Sequence, residues 1–262
     1  MYWVDTYYLG DYIMRQYLYS GECGRKGEKR APKNHRTSMA VQKYNQKQRE
    51  RKIQREIAAN FTEGDLWLTL KMPKGTKVTP KELKTIFKRF ADKVRYQYRK
   101  AGQKFKWIRR MEIGEKGGVH IHMIANRIED ADLIIQKAWS EVTNGHVNLQ
   151  PLYESDGYGE LARYICKMPT EEIQGQLSLF DQEDRKTFIE VHTSKNLIRP
   201  KAQRKKYNHW TMRKILQGDY KPEKDFMVIK DSVEIGMNAM GYTSLTLWEK
   251  RIKPEPVTVR RC

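Results

Sequence analysis

The stretch FKWIRRMEIGEKGGVHIHMIAN, residues 105–126, contains two strand-like runs joined by a glycine-containing turn. The EKGG sequence between residues 105–113 and residues 119–126 is typical of a hairpin connection. Successive side chains of a strand point to opposite faces, so His120 and His122 share one face and the apolar residues beside them share the other. The hairpin therefore predicts an antiparallel sheet with one apolar face and one face that carries two imidazoles.

A carboxylate is predicted to join the two imidazoles. If the hairpin is centred on Lys116, Glu112 lies directly opposite His120, with Cβ atoms about 5 Å apart. Mixed nitrogen and oxygen donors suit a divalent metal ion, Mn²⁺ or Mg²⁺. A register shift of one residue would turn Glu112 away and leave Glu115 as the substitute ligand. The alternative interpretation of the histidine pair is a polar sheet surface without a metal.

The segments around the hairpin alternate between strand and helix patterns. The predicted elements are a strand from residue 66, an amphipathic helix from Thr79-Pro80 to Lys100, the hairpin, a helix over 130–142, a strand from His146 and a helix over 158–167. This order predicts an α+β fold in which helices cover one face of an antiparallel sheet, the ferredoxin-like split βαβ arrangement.

The predicted domain spans residues 61–170 and lies between two basic extensions. Residues 1–60 form the N-terminal extension, and its later part, residues 41–59, lacks Gly and Pro and is predicted to be a helix. Residues 171–262 form a linker and a basic C-terminal region. We expect the extensions to be either solvated surfaces or DNA-contacting arms.

The overall charge points to a polyanionic partner. The chain has 51 Lys and Arg against 32 Asp and Glu, a formal net charge of +19. Such an excess favours nucleic acid as the partner. No apolar run approaches the roughly 18 residues of a membrane-spanning helix, and the N-terminus lacks a signal-peptide pattern, so we expect no membrane partner and a cytoplasmic location.

Several other classes of site are not favoured by the sequence. The three cysteines form no CxxC pair, so neither a disulfide framework nor a structural zinc site is predicted. The chain contains no GxxxxGK[ST] motif, so a fused P-loop helicase is not expected.

The segment GYGELARYICKMP, residues 157–169, contains a candidate nucleophile. Tyr164 and Lys167 are three residues apart and share one face of the predicted helix. A tyrosine with a pKa near 10 is almost entirely neutral at pH 7, so a nucleophilic tyrosine needs a nearby cation or base. The alternative interpretations are a surface tyrosine and a cation that stabilises the helix C-terminus.

These motifs together resemble those of the HUH endonucleases, in particular the single-tyrosine initiators of rolling-circle replication in plasmids and small phages. The resemblance covers residues 61–170 and rests on Glu112, the His-Ile-His triplet, the Tyr-x-x-Lys motif and the Leu-Thr-Leu sequence around Thr69. Mobilisation relaxases use the same chemistry with the tyrosine before the histidines. Tyrosines 7, 8, 12, 17 and 19 leave that order open, but only Tyr164 has the x-x-Lys companion.

The resemblance implies a DNA nicking and joining enzyme in a bacterial host. A Mn²⁺ or Mg²⁺ ion on Glu112, His120 and His122 would polarise the scissile phosphate of single-stranded or origin DNA. Tyr164, assisted by Lys167, would form a 5′-phosphotyrosine link, and a host helicase would unwind the duplex. The residues expected to contact DNA are Thr69, Lys71, Arg109, Arg110, Lys116 and Arg163, with Trp67 and Trp107 either stacking on bases or packing in the core.

The segment Gln176-Leu177-Ser178-Leu179-Phe180 resembles the peptide by which bacterial proteins dock on the DNA polymerase sliding clamp. An extended peptide with Leu and Phe anchors can fill an apolar groove while Gln makes hydrogen bonds. This resemblance implies the host sliding clamp as a further partner. The alternative is a loop whose apolar end packs on its own domain.

Three other functions compete with the replication initiator. A transposase or a relaxase of the same superfamily would use the same chemistry. Two histidines and one carboxylate are also the ligand set of non-haem iron oxygenases, but those enzymes place it inside a jelly-roll barrel. In a non-enzymatic nucleic-acid-binding protein, the charge would be functional and the histidines incidental.

Overall fold

The computed structural model describes residues 2–19, 38–76, 78–113, 118–153, 157–168, 188, 190–237 and 241–252. In chain order the described elements are β1 (Tyr2–Tyr8), β2 (Tyr12–Tyr19), α1 (Met39–Asn60), β3 (Leu66–Lys71), α2 (Pro80–Lys100), β4 (Trp107–Ile113), β5 (Val119–Ala125), α3 (Ala131–Thr143), β6 (His146–Pro151), α4 (Gly159–Cys166), β7 (Val191–Thr193), β8 (Gln203–Tyr207), α5 (His209–Leu216), β9 (Phe226–Val228), β10 (Glu234–Met237) and β11 (Thr243–Arg251).

The chain divides into two compact units. The histidine unit comprises Asn60–Glu154 and Glu160–Ile198, and the terminal unit comprises Met1–Ala59, Ser155–Gly159 and Arg199–Cys262. Among the described residues, no helix has the length and apolar character needed to cross a lipid bilayer.

The histidine unit is built on a five-stranded sheet with the order β6-β3-β5-β4-β7. All four strand pairs are antiparallel. The predicted α+β class with an antiparallel sheet is therefore confirmed. The edge strand β7 is short and pairs with β4 through three residue pairs.

The main core lies between the sheet and the helices α2 and α3. Alternate residues of β3 and β5 are buried there with an apolar stripe of α2 and with Trp139 of α3. Helix α2 begins with a capping box, in which the Thr79 hydroxyl accepts from the backbone N–H of Glu82 and the Glu82 carboxylate accepts from the N–H of Thr79. We call this side of the sheet the helix face.

The opposite side, which we call the histidine face, carries His120 and His122. Helix α4 packs on this face, because Arg110 of β4 donates from Nη1 to the carbonyl oxygens of Tyr164 and Ile165, at 3.4 Å each. Ile108 and Ile124, which alternate with the residues of the helix face, are fully buried on this side. Both faces of the sheet are thus covered, the histidine face only in part.

Arg109 was predicted to contact DNA, but it lies on the helix face. It alternates with Ile108 and Arg110 along β4 and is 7% exposed, with Cζ 4.1 Å from the centroid of the Phe87 ring. Its Nε and Nη1 atoms have no hydrogen-bond partner among the described residues. Burial lowers the pKa of Arg109 to about 10, so the side chain is a destabilising charge at neutral pH.

The terminal unit contains a six-stranded sheet that the sequence patterns did not predict. Its main order is β10-β11-β2-β1-β8, and β9 also pairs with β11. Two buried carboxylates are satisfied there. Asp5 accepts two hydrogen bonds from Arg204, at 2.6 and 2.7 Å, and Glu249 accepts from Arg15 Nε at 2.8 Å. These pairs join strands that lie far apart in the sequence.

We predict that Gly145→Ala destabilises the protein. A Cβ atom at this position would lie 2.1 Å from the carbonyl oxygen of Lys71 and 2.7 Å from Trp139 Nε1, and would break the Trp139 hydrogen bond to that oxygen. The free energy of unfolding should fall by about 3 kcal/mol in urea denaturation followed by circular dichroism. Ser140→Ala, on the exposed side of α3, should change it by less than about 0.5 kcal/mol. Equal unfolding midpoints for the two variants would contradict the packing described.

We predict that Arg109→Met stabilises the protein at neutral pH. Burial lowers the folded-state pKa of Arg109 to about 10 from its ordinary value of 12.5, so folding below pH 10 buries a protonated guanidinium. Replacing it should raise the free energy of unfolding at pH 7 by about 2 kcal/mol.

The gain should shrink as the pH rises above about 10, where the folded protein can release this proton. Urea titrations at several pH values measure it, with the exposed Arg163→Met as the control. A less stable Arg109→Met at pH 7 would show that the contact with Phe87 outweighs the desolvation.

Candidate active site

The candidate site lies on the histidine face, where the polar positions of neighbouring strands come together. The hairpin has the predicted register, since Glu112 pairs with His120 across β4 and β5. On the other side of β5, His122 pairs with Thr69. The alternation of these strands therefore gathers the two imidazoles, the carboxylate and the threonine on one surface.

His122 is the centre of this arrangement. Its Nε2 atom lies 2.9 Å from Oε2 of Glu112 and its Nδ1 atom lies 3.2 Å from Oγ1 of Thr69. The indole of Trp67 stacks against the imidazole, with ring centroids 5.7 Å apart and planes 7° from parallel. Since both ring nitrogens and one ring face have partners, the orientation of this imidazole is fixed.

Tyr164 reaches the same group from α4. Its hydroxyl oxygen lies 3.5 Å from His122 Nε2, and its ring stands perpendicular to the imidazole at a centroid distance of 5.3 Å. The side chain is 48% exposed. A substrate can therefore approach the phenol from solvent while the phenol oxygen faces the histidine.

The electrostatic environment of Tyr164 disfavours the phenolate. Burial raises the pKa of Tyr164 and the negative charge of Glu112 raises it further, while Arg110 acts in the opposite direction. The hydrogen bond from His122, together with the charges of Arg110 and Lys167, lowers the pKa of Glu112 and keeps it ionised. A nucleophilic role for Tyr164 thus requires an additional positive charge at the site.

His120 and Lys167 lie at the edge of this cluster. The imidazoles of His120 and His122 have a centroid distance of 6.4 Å. Burial lowers the pKa of His120, as do the charges of His122 and Lys71, so the ring is neutral at pH 7. Lys167 is exposed immediately after α4, close enough to Glu112 to lower its pKa.

The donor chemistry of the cluster fits a divalent ion. Two donor atoms bound to one ion at about 2.1 Å and at a right angle lie about 3.0 Å apart, which matches the 2.9 Å between His122 and Glu112. His120 supplies a further nitrogen donor on the same face. Thr69 Oγ1 can accept a hydrogen bond from Nδ1–H of His122, which leaves Nε2 as the ligand atom. Over the described ranges, no three His, Cys, Asp or Glu side chains are already grouped as ligands.

The remaining predicted site residues differ in position. Lys71 lies on the histidine face and Arg163 is exposed on α4, whereas Arg110 is 3% exposed beneath that helix. Arg110 therefore supports α4 and cannot present its guanidinium to DNA. Burial lowers the pKa of Arg110. Lys116 and the predicted clamp-binding residues Gln176, Leu177, Leu179 and Phe180 lie outside the described residues.

The two tryptophans occupy different surroundings. Trp67 lies on the histidine face beside His122 and Tyr164. Trp107 packs edge-on against Phe87 of α2, with ring centroids 5.0 Å apart. Of the two, only Trp67 is positioned to stack on a base that approaches the candidate site.

The polar residues of β6 were not among the predicted site residues. His146 pairs with Lys71, and Asn148 pairs with Thr69, so both extend the histidine face beyond β3. The signal for them was the alternation in HVNLQP. It could be used only after β6 was known to lie beside β3.

A model of the replication-associated protein family, of the ORF2 type, matches residues 65–169. No curated protein and no solved structure matches the chain at a significant level. The matched stretch runs from the start of β3 to just beyond α4 and includes every residue of the candidate site. Residues 65–169 are therefore similar to replication-associated proteins, in agreement with the resemblance to replication initiators.

Proposed function

We propose that the protein is a metal-dependent endonuclease that nicks and joins single-stranded DNA through Tyr164 and initiates rolling-circle replication of a plasmid, phage or mobile element. The observation that carries this proposal is the position of the Tyr164 hydroxyl, 3.5 Å from the histidine nitrogen that also contacts Glu112. A nucleophile, a neutral imidazole and a carboxylate at one exposed point of a basic chain fit phosphoryl transfer.

In the proposed reaction, the phenol oxygen of Tyr164 attacks the scissile phosphorus. The bond from phosphorus to the 3′ oxygen breaks, the phenol loses its proton, and the leaving oxygen gains a proton to become a 3′-OH. The product is a 5′-phosphotyrosine link. Because this link is again a phosphodiester, a 3′-OH can attack it in the reverse direction and rejoin DNA without ATP.

The residues around Tyr164 have separate tasks in this proposal. Arg110 holds the C-terminal end of α4 and so fixes the distance between the phenol and His122. Trp67 offers an aromatic ring to an unpaired base, and the charges of Lys71, Arg163 and Lys167 neutralise DNA phosphates. The contribution of the chain is mainly positioning and charge neutralisation, as phosphoryl transfer requires.

A divalent ion, Mn²⁺ or Mg²⁺, would be held by Glu112, His120 and His122. When bound, it would polarise the scissile phosphate and offset the carboxylate charge that raises the pKa of Tyr164. The open sheet surface leaves room for phosphate oxygens beside the three donors. Such a site differs from the enclosed jelly-roll setting of non-haem iron oxygenases.

The cellular setting of this activity is also part of the proposal. A bacterial cytoplasm would provide the origin DNA, a helicase and the sliding clamp to which residues 176–180 would bind. Histidines that precede the tyrosine in the chain favour an initiator over a relaxase. A transposase would use the same residues, and a non-enzymatic DNA-binding protein would use only the charge.

We predict that Tyr164→Phe abolishes covalent attachment to DNA. The full chain is incubated with a library of single-stranded oligonucleotides and Mn²⁺, and the products are separated on a denaturing gel. Wild type should form an adduct that disappears with EDTA, and Tyr164→Phe should form none because the attacking oxygen is missing.

Tyr153→Phe is the matched control, since Tyr153 is 72% exposed and lies outside the site. It should form the adduct at the wild-type level. An adduct that persists in Tyr164→Phe would remove this residue as the nucleophile. A wild-type protein that binds the library without any adduct would leave only the non-enzymatic alternative.

We predict that Thr69→Val weakens metal binding at the site. The substitution removes the acceptor for Nδ1–H of His122, so the Mn²⁺ concentration for half-maximal adduct formation should rise by about tenfold. Thr85→Val, an exposed position on α2, is the control and should leave that concentration unchanged. Equal Mn²⁺ dependence in both variants would show that Thr69 does not orient the histidine.

A further inference from the structure

Helix α2 carries a row of cations along one side. Lys84, Lys88, Arg95 and Arg99 are exposed and follow one another at intervals of four, seven and four residues. These intervals keep all four side chains within one narrow sector of the helix. At 1.5 Å per residue, the row is about 22 Å long. We call these four residues the cationic row.

The row runs beside β7 and ends at a cavity. Lys84 contributes to the lowered pKa of His192 on β7, which locates the start of the row near that strand. Arg95 and Arg99 line a cavity of about 690 Å³ together with Lys104, Trp107, Lys195 and Asn196. The cavity therefore has four cationic side chains and one indole in its wall.

The wall of this cavity is held in place by hydrogen bonds. Ser194 Oγ accepts from the backbone N–H of Trp107 at 3.1 Å, and the N–H of Ser194 donates to the carbonyl of Trp107 at 2.9 Å. Asn196 Nδ2 donates to the carbonyl of Phe105 at 3.0 Å. The loop that carries Lys195 is thus joined to the start of β4.

The positive charge here is largely uncompensated. Arg95 pairs with Asp92, whereas Arg99, Lys104 and Lys195 make no ion pair within the part of the chain that the structure describes. Buried Arg109 adds a further positive charge from beneath. Burial lowers the pKa of His192 and the charge of Arg109 lowers it further, as expected in a region of positive potential.

We propose that the cationic row and its cavity form a second DNA-binding surface, where the row binds backbone phosphates and the cavity receives a nucleotide beside Trp107. The inference rests on the proposed function in taking DNA as the partner. The length of the row favours nucleic acid over a small anion, since about 22 Å corresponds to about six base pairs of duplex at 3.4 Å each.

This surface is separate from the candidate active site. Trp107 and Glu112 are five residues apart on β4, about 17 Å along the strand, and their side chains point to opposite faces. A nucleotide at Trp107 therefore cannot be the nucleotide attacked by Tyr164. The surface binds a different segment of the same DNA and so positions the substrate relative to the nicking site.

The test compares two double variants that lose the same charge. R99A/K195A removes two cations of the cavity wall, and K100A/K137A removes two exposed cations elsewhere on α2 and α3. Fluorescence anisotropy measures the binding of the full chain to a labelled oligonucleotide, single-stranded or hairpin-forming, over a series of salt concentrations.

R99A/K195A should weaken DNA binding about 20- to 60-fold at about 0.1 M salt and reduce the slope of log K against log salt by about 1.4 to 1.8, as expected for two lost phosphate contacts. K100A/K137A should bind like wild type. Trp107→Phe should weaken binding without changing the slope, because it removes stacking surface and no charge. Equal affinities and slopes for the two double variants overturn the proposal.

Two further outcomes are decisive. A nucleoside monophosphate that competes as strongly as an equal concentration of oligonucleotide would show a nucleotide pocket in place of a DNA surface, and binding of an acidic protein in preference to DNA would show a different partner. If wild type forms the Tyr164 adduct and R99A/K195A binds DNA normally, this inference fails and the proposed function stands. If R99A/K195A loses binding and wild type forms no adduct, the second surface stands and the nicking activity fails.

Discussion

The pairing of β4 with β5 is the constraint on which the histidine unit depends. In the register that joins Glu112 to His120, alternate residues of both strands fill the core beneath α2 and α3, and the residues between them form the polar face. A shift by one residue would exchange the two sets. The hydrophobic free energy that stabilises the core therefore also holds the imidazoles and the carboxylate on one surface, without any requirement for direct attraction among them.

Helix α4 adds to this surface a group that no strand could provide. Arg110 occupies the same face of β4 as Glu112, but its guanidinium is buried under the helix and binds two of its last carbonyl oxygens. Removing a cation from water is costly, and those contacts offset part of the cost. A charged side chain at this position thus serves the geometry of Tyr164.

The sequence contains enough information for the core of the site and not for its surroundings. The spacing of Glu112, His120 and His122 around the turn predicts their common face, because a hairpin pairs residues that are close in the chain. Trp67 and Trp107 could not be assigned to a face from alternation alone, since both strands have polar and apolar residues on each side. Arg109 and Arg110 are identical neighbours in the sequence, and only the packing of α2 and α4 distinguishes them.

The sheet of the terminal unit was beyond prediction for a different reason. Its strands β2 and β11 pair through Tyr17 and Leu245, and no local pattern shows which distant segment a tyrosine-rich strand will choose. Long-range pairing also has a consequence for synthesis on the ribosome. The sheet of the terminal unit cannot be completed until β11 has been translated, whereas all strands of the histidine unit are available well before then. The segment that carries Tyr164 can therefore acquire its fold while β2 still awaits its partner.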